Sequence, residues 1–192
     1  KGWSSTINFS DSIQEKFLRF FEDEQKFTLG VCNGCQMLSS IKEIIPGTDS
    51  WPSFQKNHSD QFEARLSQVK ILKSKSVLLN GMEDWSLPII VSHGEGRACF
   101  KNENEINKLF DSEKICMAFV DSSGYQTEQY PLNPNKSPSG ITGITNDNGN
   151  ITIMMPHPER VFRSHQFSWK PTYWGEYSPW MQIFINAKKF IS

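Results

Sequence analysis

Apolar residues recur at helical spacing near the N-terminus, in the segment SDSIQEKFLRFFEDE at positions 10–24. The residues that would share one face of this helix are Ile13, Phe17, Phe20 and Phe21. Ser12 and Glu15 have the spacing of a capping box, in which two side chains bond the first free backbone N–H groups. The pattern therefore predicts an amphipathic helix that begins near Ser12.

Short runs of β-branched and apolar residues predict strands along the rest of the chain. KFTLGV (26–31) predicts a buried strand that runs directly into Cys32, and NGCQMLSSI (33–41) predicts a helix that leaves it. Further predicted elements are strands at 87–94 and 115–121, a helix at 103–112, a two-stranded hairpin at 140–156 and a closing helix at 180–191 opened by Ser178 and Pro179. This alternation of strands and helices indicates an α/β protein.

The polar, turn-rich segment EQYPLNPNKSPSG at 128–140 predicts a long surface loop. The sequence contains no repeat and no low-complexity linker. We therefore expect residues 1–192 to form a single domain, which is the usual outcome for a chain of this length.

Charge and composition exclude several classes of function. Twenty basic and 21 acidic residues leave a formal net charge of −1, without any run of five like charges, so we expect no nucleic-acid partner. Apolar stretches are far shorter than the roughly 20 residues that cross a bilayer. We expect a soluble, cytoplasmic protein with no membrane partner, in which the four cysteines are reduced.

The stretch LGVCNGCQM at positions 29–37 has two interpretations. Cys32 and Cys35 have the C-x-x-C spacing of zinc knuckles and dithiol redox sites. A structural zinc site needs four ligands, and Cys99 and Cys116 belong to no second ligand pair, so we expect no metal site. A redox protein that uses Cys32 and Cys35 remains the alternative.

The second interpretation makes Cys32 a nucleophile on a tight turn between a strand and a helix. Gly30 and Gly34 would leave room for that turn, and the helix N-terminus would favour a thiolate. In MMPHPER (154–160), proline residues push their neighbours towards extended conformations, so that His157 and Glu159 project from the same side. A Cys–His–Glu triad follows, with His157 as the base and Glu159 as its orienting partner.

These motifs resemble the two signatures of the triad-type, or class I, glutamine amidotransferases. The segments that extend the similarity over essentially the whole chain are GVCNGCQML, WPSFQKNHSDQFEAR, VSHGEGR, NPNKSPSGITGIT, TIMMPHPERVFR and SWKPTYWGEYSPWMQIFINA. Together they resemble the C-terminal glutaminase domain of the large phosphoribosylformylglycinamidine synthases, which are carbon–nitrogen ligases of purine biosynthesis that take the amide of glutamine.

The resemblance implies roles for individual residues. Cys32 would attack the side-chain amide of L-glutamine and form a γ-glutamyl thioester, and the backbone N–H of Asn33 would stabilise the oxyanion. Gln36, Ser92 and His93 would bind the substrate. His93 is the competing candidate for the base, although it lacks a carboxylate partner fixed by proline. For Asn57, Arg65 and Arg97 we expect structural or interface roles.

The resemblance also implies a fold and a parent protein. The expected fold is an open, mostly parallel central sheet flanked by helices. In this family a first strand and a glycine-rich loop precede the first helix, and KGWSSTINFSD leaves no room for either. We therefore expect a domain that lacks its first strand and forms the C-terminal part of a longer multidomain synthase. Its partners would be L-glutamine and the synthase domains of the same polypeptide, which would also hold ATP and Mg²⁺, with no cofactor in this domain.

One further alternative comes from another class, a regulatory or scaffolding module with an idle triad. The aromatic residues between Phe167 and Trp180 would either fold back over the core or, together with NPNKSPSG, dock the rest of the parent chain. We expect at least one of Trp169, Trp174 and Trp180 to lose exposure on that docking.

Overall fold

A six-stranded sheet forms the centre of the computed structural model, which describes residues 2–192. Its strands are β1 (Thr28–Val31), β3 (Glu63–Ile71), β4 (Ser86–His93), β6 (Ile115–Phe119), β7 (Ile141–Thr145) and β8 (Ile151–Met154), in the order β1-β8-β7-β6-β3-β4. Two short strands, β2 (Ser53–Gln55) and β5 (Arg97–Cys99), form a separate antiparallel pair. The α-helices are α1 (Gly2–Asn8), α2 (Asp11–Glu22), α3 (Asn33–Ser40), α4 (Glu103–Asp111) and α5 (Met181–Phe190).

The α/β class and the class I amidotransferase-like arrangement are confirmed, but the prediction of a mostly parallel sheet is wrong. Only β1 and β8 pair in parallel, and every other pairing in the sheet is antiparallel. For β7 and β8 the reason lies in the connection between them. The five-residue turn at 146–150 joins β7 to β8 as a hairpin, whereas a parallel pair needs a crossover of a dozen or more residues.

Apolar side chains form two cores, one on each face of the sheet. One core contains Ile7 of α1, Phe21 of α2, Leu38 of α3 and Leu109 of α4. The other contains Trp180 and Ile183 at the start of α5, packed against β3, β4 and β6. Each large side chain that is fully buried contributes about 1.5–3 kcal/mol to folding, so both layers hold the sheet firmly.

Several local predictions differ from the structure. Helix α2 begins after Ser10, which has extended backbone angles, so Ser12 already lies inside the first turn and forms no capping box. Strand β3 was not predicted, although its burial alternates along the chain as a half-buried strand should. Trp180, rather than Ser178, is the residue that precedes the first turn of α5.

The predicted surface loop at 128–140 is the clearest correction. Asn133, Asn135 and Ser137 are all fully buried. Their side chains bond backbone groups of neighbouring segments, and this satisfies polar groups that burial would otherwise leave without partners. Within residues 2–192, no helix has the length and apolar character needed to cross a membrane.

Candidate active site

Cys32 lies on the tight turn between β1 and α3, as the sequence predicted. Its backbone angles, φ 52° and ψ −105°, fall in a sparsely populated region that costs about 1–3 kcal/mol for a residue with a side chain. Its N–H donates to Met154 O (2.9 Å), which ties the turn to the end of β8. A Cβ on Gly30 would lie 3.0 Å from Gly34 O and 2.6 Å from Leu38 Cδ1, so a side chain there would crowd α3. A Cβ on Gly34 would have no neighbour within 4 Å among the described residues.

His157 and Glu159 follow β8, at the neighbouring end of the sheet. The His157 N–H donates to Ile90 O (2.8 Å), which fixes the backbone of this segment against β4. His157 Nδ1 lies 2.6 Å from Glu159 Oε1, and because the carboxylate can only accept, the proton of this bond is on Nδ1. Partial burial would raise the pKa of Glu159, but the bonds from His157 and from its own backbone, with the nearby charges, lower it overall.

The ring of His157 also interacts with Cys32. This interaction is the largest of the causes that raise the pKa of His157 to about 9, followed by the bond with Glu159. Nε2, the other ring nitrogen, is buried and has no hydrogen-bond partner among the described residues.

A cavity of about 480 Å³ opens beside the sulfur of Cys32. Its lining residues are Val31, Cys32, Asn33, Gln36, Phe62, Ser92, His93, Gly94, Glu95, His157 and Arg160. Six of the seven candidate site residues therefore line one cavity. The seventh, Glu159, lies outside the cavity lining and bonds His157. A larger cavity of about 870 Å³ lies at the aromatic segment near the C-terminus and contains no cysteine or histidine.

The segment at 92–97 forms one wall of the cavity. Cys32 Sγ donates to Ser92 O (3.6 Å), and Gln36 Nε2 donates to Glu95 O (2.7 Å), so both residues hold this segment against α3. Asn33 is the first residue of α3, where a backbone N–H has no acceptor within the helix. That N–H is therefore available to a negative charge that forms beside Cys32.

His93 lies in the same wall but is less suited to act as a base. Its ring is 2% exposed, and burial is the main cause that lowers its pKa to about 4. Its Nδ1 lies 3.2 Å from the amide oxygen of Asn57. The partner of Nδ1 is therefore a neutral amide in His93 and a carboxylate in His157. His93 is thus neutral at physiological pH, and its Nε2 is buried with no partner within residues 2–192.

The four thiols are free, and Cys35 is completely buried in the core that contains Leu38. Burial raises the pKa of Cys35 well above its ordinary value, which disfavours the thiolate that disulfide exchange requires. Within residues 2–192, no cluster of three or more histidine, cysteine or acidic side chains could hold a metal ion. The geometry therefore favours Cys32 as a single nucleophile.

Sequence reasoning assigned no chemical role to two residues near the cavity. Asn57 is 2% exposed and bonds the backbone at both His93 and Gly96. Arg160 lines the cavity, with its Nε 3.6 Å from Glu159 Oε1. The signal for Arg160 was its place directly after the His–Pro–Glu motif, whereas nothing in the sequence distinguishes Asn57 from a surface asparagine.

Solved structures of two other proteins share the fold of this chain. The structure of PurLQS from Thermotoga maritima matches with a TM-score of 0.65 and 19% identity, over 94% of this chain and 66% of that chain. A protein from Thermoplasma acidophilum, assigned as part of a GMP synthase, matches with a TM-score of 0.50 and 13% identity, over 96% of this chain and 67% of that chain. These likenesses show a shared fold, and this chain spans about two thirds of the length of each matched structure.

A family model gives the assignment itself. Residues 1–191 match the model described as the CobB/CobQ-like glutamine amidotransferase domain, which covers nearly the whole chain. The chain therefore belongs to the CobB/CobQ-like glutamine amidotransferase domain family.

Proposed function

We propose that this domain hydrolyses L-glutamine through a thioester on Cys32 and supplies the ammonia to a synthase site elsewhere in a longer protein. The observation that carries the proposal is the arrangement of Cys32 on a strained turn, in contact with a His157 ring that Glu159 holds from the other side. A cysteine, a base and a carboxylate orienting that base are the parts that acyl transfer to sulfur requires.

In the first half of the reaction, His157 takes the proton of the Cys32 thiol, and the sulfur attacks the side-chain carbonyl carbon of glutamine. The N–H of Asn33 stabilises the oxyanion, and the imidazolium of His157 gives its proton to the departing nitrogen as the C–N bond breaks. In the second half, His157 takes a proton from water, whose oxygen attacks the thioester. The C–S bond then breaks, glutamate leaves, and the sulfur returns to its starting state.

The cavity wall at 92–97 is the proposed binding surface for the amino-acid end of glutamine. The backbone N–H groups of Gly94 and Glu95 donate to no acceptor within residues 2–192, so they are free for a carboxylate. Ser92, which lines the cavity, supplies an acceptor for an ammonium group, whereas the His93 ring forms part of the wall and its Nε2 is buried. Gln36 acts by holding Glu95 in place.

The proposed parent is a phosphoribosylformylglycinamidine synthase, a cytoplasmic enzyme of purine biosynthesis in which residues 1–192 form one C-terminal domain. The motifs described above and the shared fold with PurLQS support this proposal. In such a parent the synthase part holds ATP and Mg²⁺ and converts formylglycinamide ribonucleotide to formylglycinamidine ribonucleotide with the ammonia made here.

The thioester provides a direct test of the proposed function. When the full-length protein is incubated with glutamine and quenched in acid, we expect mass spectrometry of its peptides to find one glutamyl group on Cys32. The adduct should disappear on treatment with hydroxylamine, which cleaves thioesters. If no glutamyl group forms, or if it forms on another cysteine, the proposal is wrong.

The aromatic segment at 167–180 is the proposed docking surface for the synthase part. Trp180 is excluded, because it is fully buried and donates to Pro88 O (2.8 Å). Trp174 is partly covered by Phe167, whereas Trp169 is 80% exposed. None of the residues that line the adjoining cavity of about 870 Å³ is charged, which suits an uncharged protein surface. NPNKSPSG does not belong to this surface, because its asparagines are buried.

Substitution of Trp169 tests the docking surface. We expect Trp169→Ala in the full-length protein to lower the fraction of hydrolysed glutamine that appears in product about tenfold, since exposed tryptophans often dominate interfaces. Synthesis from added ammonia should be unchanged. Phe9→Ala is the control, because Phe9 is an aromatic residue that is 89% exposed and lines neither this cavity nor the cavity beside Cys32. Equal effects of the two substitutions, or no effect of Trp169→Ala, would show that the interface lies elsewhere.

A further inference from the structure

The cavity wall at 92–97 is held by buried polar side chains that take no part in the proposed reaction. They are Asn57, Asn135 and Ser137, which are 2%, 0% and 0% exposed. Asn135 and Ser137 come from the segment at 133–137, which lies 39 residues along the chain from the groups that it bonds. Buried polar groups are costly unless they are satisfied, so a set of this kind is present for a reason that packing alone does not supply.

Asn57 holds the first half of the wall. Its Nδ2 donates to His93 O (2.8 Å), and its backbone N–H donates to Gly94 O (2.9 Å). Its Oδ1 accepts from Gly96 N (2.9 Å) and lies 3.2 Å from His93 Nδ1. One side chain and its own backbone thus fix the wall at three of its residues.

Asn135 and Ser137 hold the second half. Asn135 Nδ2 donates to Gly96 O (2.9 Å), and Ala98 N donates to Ser137 Oγ (2.9 Å). The two side chains are locked together, because the Ser137 hydroxyl donates to Asn135 Oδ1 (2.7 Å). Asn57 bonds the N–H of Gly96 and Asn135 bonds its carbonyl, so the orientation of the peptide groups on both sides of Gly96 is fixed.

The wall is closely packed at Gly96. A Cβ on Gly96 would lie 2.2 Å from Cε1 of His93, so the His93 ring already packs against the Gly96 backbone. The bonds to Asn57, Asn135 and Gln36 leave the N–H groups of Gly94 and Glu95 as the unbonded backbone donors of the segment within residues 2–192. A shift of Gly96 would therefore turn these donors away from their present direction.

We propose that Asn135, locked by Ser137, is a positioning residue that holds the 94–96 backbone in the orientation that binds the amino-acid end of glutamine. The inference rests on the proposed function and assigns the buried segment at 133–137 a role in substrate binding. Asn135 touches neither the sulfur nor the cavity. It acts through Gly96, and its loss should weaken recognition of the substrate while leaving the nucleophile intact.

Two electrophiles separate recognition from reactivity in the full-length protein. 6-Diazo-5-oxo-L-norleucine alkylates a cysteine after binding as glutamine does, whereas iodoacetamide needs no amino-acid site. We expect Asn135→Ala to lower the rate of Cys32 alkylation by the glutamine analogue about tenfold or more, because a buried partner is left unsatisfied. The rate with iodoacetamide should stay within about twofold of wild type. KM for glutamine should rise more than kcat falls.

Two further variants serve as controls for this experiment. Asn135→Asp keeps the volume and the acceptor for Ser137 but loses the donor to Gly96 O, so it should behave as Asn135→Ala does. Asn186→Ala is the matched control, because Asn186 is also a buried asparagine that bonds backbone carbonyls, those of Leu78 and Asn80. It should lose stability and keep wild-type selectivity between the two electrophiles.

The inference is overturned if Asn135→Asp retains wild-type rates, if both electrophiles slow equally in the Asn135 variants, or if Asn186→Ala loses selectivity to the same extent. A failure of the proposed function is visible separately. In that case the wild-type protein itself would show no saturable reaction of Cys32 with the glutamine analogue, and the comparison among variants would not arise.

Discussion

Replacing Cys32 by serine should abolish glutamine-dependent synthesis in the full-length protein and leave synthesis from free ammonia largely intact. The loss should be on the order of 10⁴-fold, because removal of a nucleophile from a cooperating triad disables the whole unit. Cys32 lies in the cavity of the proposed glutaminase site and interacts with His157, so the substitution should not affect the proposed synthase site. The measurement is the initial rate of product formation with glutamine and, separately, with ammonium chloride.

Cys35→Ala supplies the control for this substitution. Cys35 is fully buried in α3, three residues after the nucleophile, and its loss should cost about 1–2 kcal/mol of packing. Glutaminase activity should survive. A loss as large as that in Cys32→Ser would revive the dithiol mechanism, and equal loss of both activities in Cys32→Ser would indicate a structural role for Cys32.

His157→Ala should lower kcat for glutamine hydrolysis by about 10²–10⁴-fold, the usual contribution of a positioned acid and base. The physical reason is the proton that the departing nitrogen needs, which only an imidazolium in contact with the cysteine can supply. In the wild type, the pKa of His157 is raised to about 9, so the imidazolium is present below that pH and is lost above it. We therefore expect kcat/KM of the wild type to fall as pH rises past about 9.

His93→Gln distinguishes the two histidines. His93 has an amide partner and a pKa lowered to about 4, so it carries no proton to give at neutral pH. The variant should raise KM and keep kcat within about tenfold of wild type, since binding rather than proton transfer is affected. If instead His93→Gln loses the larger share of kcat and His157→Ala is mild, His93 is the base.

Sequence alone located the residues of the candidate site because their chemistry constrains the local backbone. A cysteine between glycines at a strand–helix boundary, and a His–Pro–Glu triplet after a strand, are patterns that few other structures need. The hydrogen bond between His157 and Glu159 could be expected from these patterns. The position of Arg160 beside Glu159 could not, because it depends on how the chain turns after the motif.

Elements that depend on long-range pairing were harder to predict. Strand β3 alternates buried and exposed residues, but its exposed positions include Ala64 and Leu66, which blur the period-2 pattern. The direction of the strands depends on connections that local patterns do not reveal. Asn135 could not be told from a turn residue, because an asparagine that bonds distant backbone has the same local sequence as one that faces water.

The positive φ of Cys32 has a consequence for how this domain changes over generations. Glycine adopts such angles at no steric cost, so at this one position the residue required for chemistry and the residue preferred for folding are different. As long as the thiol is used, selection maintains a cysteine in a conformation that costs about 1–3 kcal/mol. A descendant of this domain that had ceased to use glutamine would be expected to drift to glycine here, and the persistence of cysteine in a relative would itself indicate that the thiol is in use.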